Sequence, residues 1–390
     1  MPASATPQAI VAGHIALDII PIFKKFKGDL GTLLAPGKLI EVGGPVIAAG
    51  GAVHNTGLAL HRLGIATGLM GKVGDDLLGR AILELIRAED RRLAEGMIVV
   101  AEENTSYSVV LSPPGVDRIF LHNPGANDTF DAKDIDYRKL EGVRLFHFGY
   151  PPLMRRMYSD DGENLELLVS RAKQAGAMVS LDMAMPDPAS PAGKVNWVTI
   201  LKRTLPHVDI FLPSTDEIFY MLGTGGDRLP AGTDGPLLDQ VARRLLDYGA
   251  RIVVLKLGAP GLYLRTASDR RRLMELQPNL GGDTGAWVGR ELWSGSFEVE
   301  VVGATGAGDC AIAGFLAGIL KGQRPEEALT SAAAVGAFSV ERADAISGVP
   351  SWKEVQARIH SVWRRQDPAI NLPQWRPAKD GVWIGPHDGR

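Results

Sequence analysis

Short apolar runs and segments of helical period alternate through the middle of the chain. Three apolar runs with β-branched residues predict buried strands, each ending in polar or glycine residues: AMVSLD (177–182), VDIFLP (208–213) and RIVVLKLG (251–258). The segments between them have helical spacing and recognisable ends, such as Gly176 and Gly249, and a capping box of Ser351 and Glu354 predicts the start of a further helix. This alternation is typical of βαβ units and predicts an α/β fold with a doubly wound, mainly parallel sheet.

Two stretches do not follow this alternation. Residues 96–122 contain short strand-like runs separated by hairpin-like breaks, and residues 17–46 are rich in strand-forming residues and glycine. We expect both to contribute strands to a small β-sheet lid over one end of the main domain, which we place at residues 1–365.

The chain ends in a segment of different composition. Residues 366–390 are rich in proline and polar residues, which predicts an irregular C-terminal tail. Its Trp375 and Trp383 suggest that part of the tail docks on the body or on a partner.

Composition and charge limit the class of protein. A chain of 390 residues, 45% hydrophobic and 22% charged, can bury a large core. A formal net charge of -3 gives no field that would attract nucleic acid or an anionic membrane. The single cysteine, Cys310, cannot form an internal disulfide, and the N-terminus has no basic leader before its apolar run. We therefore expect a cytoplasmic enzyme that acts on a small molecule.

A glycine-rich turn runs directly into an apolar helical segment at residues 303–320, GATGAGDCAIAGFLAGIL, and carries one acid, Asp309. Backbone N–H groups converge at such a turn, where the helix dipole favours an anion such as phosphate. A carboxylate would repel that anion unless it takes a proton from the attacking nucleophile, as phosphoryl transfer to a hydroxyl requires. The turn alone is equally compatible with an ordinary first-turn acid.

A second glycine-rich stretch, GGAVHNTGLALHRLG at residues 50–64, decides between these interpretations. Together with GATGAGD it resembles the ribokinase-like (PfkB) carbohydrate kinase family, over roughly residues 9–365. The resemblance implies, for the chemistry, Asp309 as catalytic base and an anion hole formed by the amides of Gly306, Ala307 and Gly308. For the sugar it implies contacts from Asp18, Gly50, Gly51 and Asn55.

The nucleotide and metal sites are implied by the same resemblance. LKLGAPGLYL (255–264) is similar to the family's strand and glycine turn below the ATP phosphates, and PEEALTSAAAVGAFSVER (325–342) to its helix beside the adenine. The residues implied to bind ATP are Lys256, Gly258, Gly261 and Ala334. Mg²⁺ is implied with ATP, and Glu217 takes the place of the family residue that organises this ion through water.

Four positions, in three motifs, depart from the family's pattern. Ser214 replaces an asparagine near the metal, and Gly303 replaces an aspartate that helps to hold a monovalent cation, which argues against potassium activation. DMAMP (182–186) keeps the family's aspartate, but it has Ala184 and Pro186 in place of an amide and an arginine.

These observations predict an ATP-dependent kinase that phosphorylates a hydroxyl group of a sugar or sugar-like molecule. One alternative is a nucleoside kinase of the same family. Aromatic residues near the lid, such as Tyr107 and Phe120, are compatible with this alternative. Another alternative is a sugar or nucleotide sensor that has kept the fold and lost catalysis. The four departures from the family's pattern favour a sensor, whereas the retained Asp309 favours an enzyme. The family's lids often pair between subunits, which implies a homodimer.

Overall fold

The structure is a computed structural model, and it describes residues 6–23, 31, 35–113, 119–224, 234–366, 370–378 and 381–389. Its strands are β1 (Ala9–Gly13), β2 (Ala16–Ile22), β3 (Gly43–Gly50), β4 (Thr67–Met70), β5 (Lys72–Gly74), β6 (Ile98–Val100), β7 (Tyr107–Leu111), β8 (Ile119–Asn123), β9 (Leu145–Gly149), β10 (Met178–Leu181), β11 (Ile210–Phe211), β12 (Ile252–Lys256), β13 (Leu262–Thr266), β14 (Glu291–Ser294), β15 (Arg376–Pro377) and β16 (Val382–Ile384). Its α-helices are α1 (Ala52–Arg62), α2 (Leu77–Glu89), α3 (Arg155–Tyr158), α4 (Glu163–Gln174), α5 (Pro191–Lys194), α6 (Trp197–Thr204), α7 (Thr215–Leu222), α8 (Gly235–Asp247), α9 (Arg270–Met274), α10 (Ala307–Leu320), α11 (Pro325–Val340) and α12 (Trp352–Ile359).

One large sheet forms the centre of the molecule, with the strand order β15-β16-β14-β13-β12-β11-β10-β9-β1-β4. The strands from β4 to β12 are parallel, and those from β13 outward pair antiparallel. The three strands predicted from apolar runs are β10, β11 and β12, next to one another in this sheet. The doubly wound, mainly parallel fold class is therefore confirmed.

Helices cover both faces of the sheet because alternate strand residues point to opposite sides. In β1, Val11 belongs to the core that packs under α1, α10 and α11, whereas Ile10 belongs to the core that packs under α4, α6 and α8. The same alternation separates Val254 from Val253 in β12. Both faces are apolar, so the strands read as continuous hydrophobic runs in the sequence.

Local signals set the helix ends. Ser351 caps α12 in a capping box with Glu354, as the sequence predicts. The turn after α4 contains Gly176, whose φ of 93° lies in the left-handed region that glycine adopts readily. Within the described ranges, no helix combines the length and the apolar character that a membrane crossing requires.

A separate four-stranded sheet, which we call the lid, has the order β3-β2-β7-β8. It begins almost immediately after β1, since only His14 and Ile15 separate β1 from β2. Part of the predicted 17–46 contribution, residues 24–30 and 32–34, lies outside the described residues. The outer strand β3 has exposed side chains at Val46 and Ile47, and pairing between two lids stays a prediction.

One predicted lid strand lies elsewhere. Ile98–Val100 (β6) pairs in parallel with Lys72–Gly74 (β5) in a two-stranded sheet of its own. The assignment of this part of residues 96–122 to the lid is therefore wrong. Its short apolar run predicted a strand correctly, but pairing depends on contacts distant in sequence that no local pattern encodes.

The prediction of an irregular tail is also wrong for part of residues 366–390. Strand β16 pairs antiparallel with β14 and extends the central sheet, and β15 pairs with β16. Trp375 is 8% exposed and packs against Tyr263 with their ring centroids 6.0 Å apart, which confirms that this tryptophan docks on the body. Asp388 then accepts hydrogen bonds from Arg290 Nε and from the Glu291 amide, both at 2.9 Å, so the end of the tail is anchored.

Candidate active site

The carboxyl ends of the parallel strands line one large cavity. Tyr150 follows β9, Asp182 follows β10, and Lys256 is the last residue of β12, so the parallel register brings these side chains to the same edge of the sheet. The turn that precedes α10 forms the facing wall. The cavity has a volume of about 830 Å³, which is large enough for a nucleotide and a small acceptor.

The turn at Gly306 has the geometry of an anion site. Gly306 has a φ of 72°, and a Cβ added there would lie 2.4 Å from the Cβ of Ala345, so this position requires glycine. Helix α10 starts at the next residue, and the first N–H groups of a helix have no partner within it. Gly306, Ala307 and Gly308 all line the cavity, which therefore receives the positive end of the helix dipole.

Asp309 lies in the first turn of α10 and is 1% exposed. Its Oδ2 accepts hydrogen bonds from Asn55 Nδ2 at 2.9 Å and from the Tyr150 hydroxyl at 2.7 Å. Its Oδ1 accepts a longer one from Thr56 Oγ1 at 3.3 Å. Burial raises the pKa of Asp309, and these donors together with the Lys256 ammonium oppose the rise. A carboxyl with a raised pKa at an anion site is suited to accept a proton.

Tyr150 is a site residue that our sequence reasoning missed. Its backbone is left-handed, with a φ of 67°, although it is not glycine, and strain of this kind clusters at functional sites. Burial and the Asp309 carboxylate raise the pKa of Tyr150, so its hydroxyl keeps the proton that it donates to Asp309. The only available signal was its position directly after the apolar run LFHFG.

Lys256 forms a buried ion pair on the wall of the cavity. Its Nζ lies 2.6 Å from Asp182 Oδ1, with the two side chains 12% and 1% exposed. Burial alone would lower the pKa of Lys256, but Asp182, Glu217 and Asp309 raise it, so the ammonium stays charged. A Cβ added at Gly308 would lie 3.8 Å from this Nζ, which places the charge at the start of α10.

Ser214 caps α7, and Glu217 lies in the first turn of this helix. The Ser214 amide donates to Glu217 Oε2 at 2.7 Å, and Ser214 Oγ accepts from the Glu217 amide at 3.3 Å, so the serine acts as a helix cap. Ser214 and Glu217 line the cavity, and so does Asp216, the residue before Glu217. Asp216 Oδ1 is buried and has no hydrogen-bond partner within the part of the chain that the structure describes. An unpaired carboxylate oxygen beside Glu217 is a suitable ligand for a hard cation.

Two of the other residues expected to bind the nucleotide line the cavity, and one does not. Gly258 and Gly261 line the cavity with positive φ values of 70° and 103°. Ala334 is instead buried in the hydrophobic core behind the cavity. The face of α11 that lines the cavity carries Ala332, Ala333, Gly336 and Ala337. The predicted helix lines the cavity, but Ala334 lies on its other face, because an alanine-rich helix gives little amphipathic contrast to mark its exposed side.

The expected sugar residues lie together where the lid meets the central sheet. A Cβ added at Gly50 would lie 2.3 Å from Asp18 Oδ2, and one at Gly51 would lie 2.6 Å from His14 Nδ1. Gly51 has a φ of 86° and precedes α1, which carries Asn55 on its first turn. The Asn55 amide donates to Asp309 rather than projecting alone toward a ligand, so this residue links the predicted sugar site to the predicted base.

The pKa of Asp18 gives a test of this region. Burial raises the pKa of Asp18 to about 6, and the Ser108 hydroxyl opposes the rise. An acid whose pKa is raised by folding stabilises the fold below its unfolded pKa, and that contribution is lost as pH rises through about 4 to 6. We expect Asp18→Asn to raise the free energy of unfolding at pH 7.5 by up to about 3 kcal/mol and to have little effect near pH 4. Urea unfolding of both proteins at the two pH values measures this; an equal difference at both would contradict it.

The sequence matches a known family over most of its length. Residues 8–352 match the model of the pfkB family carbohydrate kinases. The chain is 28% identical over 284 residues to an uncharacterized sugar kinase of Archaeoglobus fulgidus, covering 73% of this chain and 95% of that protein. It is 26% identical over 359 residues to probable fructokinase-7 of Arabidopsis thaliana, covering 90% of this chain and 88% of that one.

Solved structures share the fold. Arabidopsis thaliana ribokinase complexed with ribose and ATP matches with a TM-score of 0.69 and 21% identity, covering 90% of this chain and 98% of that chain. Fructokinase from Xylella fastidiosa with bound ATP matches with a TM-score of 0.67 and 21% identity, with the same coverage. The resemblance that the glycine-rich stretches indicated is confirmed, and this chain belongs to the pfkB family of carbohydrate kinases.

Proposed function

We propose that this carbohydrate kinase transfers the γ-phosphoryl group of ATP to a hydroxyl of a sugar or sugar-like molecule, with Asp309 as base. The observation that carries the proposal is the buried Asp309 carboxylate at the positive end of α10, facing a cavity that also holds the Lys256 ammonium. Solved neighbours with bound ATP support the choice of phosphoryl donor.

Each of these groups has a defined part in the transfer. Asp309 takes the proton of the acceptor hydroxyl as the new O–P bond forms, and the bond between the γ-phosphorus and the β–γ bridging oxygen breaks to release ADP. The amides of Gly306, Ala307 and Gly308 donate to the phosphoryl oxygens, where negative charge is distributed. The Ala307 amide exchanges its long, 3.4 Å hydrogen bond to the Ala304 carbonyl for this one. Lys256 adds a positive charge at the same end of the cavity.

Mg²⁺ bound with ATP would neutralise phosphate charge during the transfer. The residues that would hold it here are Glu217, through water, and the neighbouring Asp216, whose buried Oδ1 is unpaired among the described residues. Ser214 keeps the Glu217 side chain in place through the capping box.

The acceptor would bind between the lid and Asp309. Asp18, Gly50 and Gly51 lie together on this side, and Asn55 connects them to the base. Carboxylate and amide groups suit the hydroxyls of a sugar, and exclusion of water by the lid would limit ATP hydrolysis. A nucleoside acceptor stays an alternative because Phe120 of the lid lines the cavity, and an aromatic ring can stack on a base.

Tyr150 should control the ionisation of the base. The Tyr150 hydroxyl donates to Asp309 Oδ2 and lowers the pKa of that carboxyl. We expect Tyr150→Phe to raise the pKa of Asp309 and move the acidic limb of the pH–rate profile to higher pH, with the greatest loss of activity at low pH. The measurement is kcat/KM from pH 5.5 to 9; a loss of equal size at every pH would indicate a structural role only.

The proposal is tested by following ADP release with ATP and Mg²⁺ over ketoses, aldoses, sugar acids, inositols and nucleosides. Turnover with one class of sugar supports it, and turnover with nucleosides alone supports the nucleoside kinase. If no acceptor gives turnover while a sugar or ATP still raises the melting temperature, the protein is a sensor.

A further inference from the structure

The segment Trp363–Gln366 reaches the cavity at its last residue, Gln366. It lies beyond residue 352, where the family match ends. The segment runs antiparallel to the stretch after β14: the Glu298 amide donates to the Arg364 carbonyl and the Gln366 amide donates to the Ser296 carbonyl, both at 2.9 Å. Gln366 is half-buried and lines the cavity.

Arg365 fastens this segment to the body. Its Nη1 donates to the Gly295 carbonyl at 2.6 Å and to Ser294 Oγ at 2.9 Å, and its Nη2 donates to Thr330 Oγ1 at 3.2 Å. Its guanidinium lies 3.8 Å from the centroid of the Phe297 ring, and that ring stacks on Trp363 with 4.0 Å between centroids. The neighbouring Gln366 is therefore held by a rigid support, which a residue that selects between ligands requires.

The part of the cavity beside Gln366 suits a flat, uncharged ring. Its lining includes Phe297 and the small residues Ala332 and Ala333 on α11. The ionised groups Lys256 and Asp309 lie toward the start of α10, at the phosphate end. If the phosphates lie at Gly306–Gly308, the base of the nucleotide extends toward Phe297 and Gln366.

We propose that Gln366 binds the edge of the nucleotide base and makes the enzyme prefer adenine over guanine nucleotides. This inference rests on the proposed function, since it takes the phosphoryl donor to be a nucleoside triphosphate. A glutamine amide presents an acceptor and a donor side by side, which match N6–H and N7 of adenine. Guanine offers two acceptors, O6 and N7, at the same edge, so the amide oxygen of Gln366 would face another oxygen.

The test compares nucleotide binding in wild type and Gln366→Met, a substitution that keeps the length of the side chain and removes the amide. Titration calorimetry with ADP and with GDP, without an acceptor, gives the ratio of the two Kd values independently of catalysis. We expect Gln366→Met to weaken ADP binding by about tenfold to 100-fold and to leave GDP binding nearly unchanged. Gln277→Ala, at an exposed glutamine outside the cavity lining, is the matched control and should keep the wild-type ratio.

Several outcomes would overturn the inference: an unchanged ADP to GDP ratio in Gln366→Met, a wild type that binds both equally, or a wild type that binds neither. If Gln366→Met does not fold, Gln366→Leu gives the same test, because it also removes both the amide donor and the amide acceptor and should lower the preference for ADP over GDP. A wild type that prefers ADP in the binding assay but phosphorylates no acceptor would refute the proposed function and leave the assignment of Gln366 open to its own test.

Discussion

Replacing Asp309 with asparagine is expected to lower kcat by about 10²- to 10⁴-fold, because the variant keeps the shape of the side chain but cannot accept the proton of the acceptor hydroxyl. The amide can still receive the Asn55 and Tyr150 hydrogen bonds at its oxygen, so the site should keep its arrangement. Nucleotide affinity should change much less than kcat. The measurement is steady-state kinetics of ADP release with the best acceptor, beside calorimetric binding of ADP.

The melting temperature of Asp309→Asn distinguishes a loss of catalysis from misfolding. Burial raises the pKa of Asp309, so its ionisation opposes folding as pH rises, and Asp309→Asn should melt at or above the wild-type temperature at pH 8. Asp247→Asn, at an exposed acid near the end of α8, is the matched control and should retain full activity. An Asp309→Asn enzyme that folds and turns over at the wild-type rate would remove Asp309 from the role of base.

Lys256→Met is expected to reduce both stability and turnover. The substitution leaves the Asp182 carboxylate buried without its cation, and losing one partner of a buried pair costs about 3–5 kcal/mol. It also removes a positive charge from the phosphate end of the cavity, for which a fall in kcat of about 10²- to 10³-fold is typical. Urea unfolding and steady-state kinetics measure the two effects.

The double variant Asp182→Asn/Lys256→Met distinguishes the effect of Lys256 on stability from its effect on turnover. Removing both charges relieves the uncompensated carboxylate, so the double variant should regain much of the lost free energy of unfolding. Its activity should stay low, because the charge at the start of α10 is still missing. Recovery of activity together with stability would show that Lys256 only holds the fold together.

The sequence predicted the parts of the fold that local pattern encodes. Apolar runs marked β10, β11 and β12, and capping residues marked the start of α12, because burial on both faces and helix ends each leave a short-range signature. The partner of β6 and the sheet position of β16 could not be predicted, since both depend on pairing between distant segments.

The candidate site was predictable to the extent that it lies in glycine-rich turns. The positive φ of Gly306 and the first-turn position of Asp309 follow directly from the motif. Tyr150 leaves no such signature, because its importance comes from a contact with Asp309, 159 positions away in the chain. Gln366 could not be predicted as a site residue either, because its place in the cavity depends on pairing with the stretch after β14.

The pairing of β16 with β14 has a consequence for the newly made protein. Synthesis proceeds from the N-terminus, so β14 is available before the residues that will cover it have been made. During that interval β14 presents an open row of backbone donors and acceptors, which another unfinished chain can pair with. Pairing with β16 ends this exposure, and the contact of Asp388 with Arg290 holds the paired segment in place.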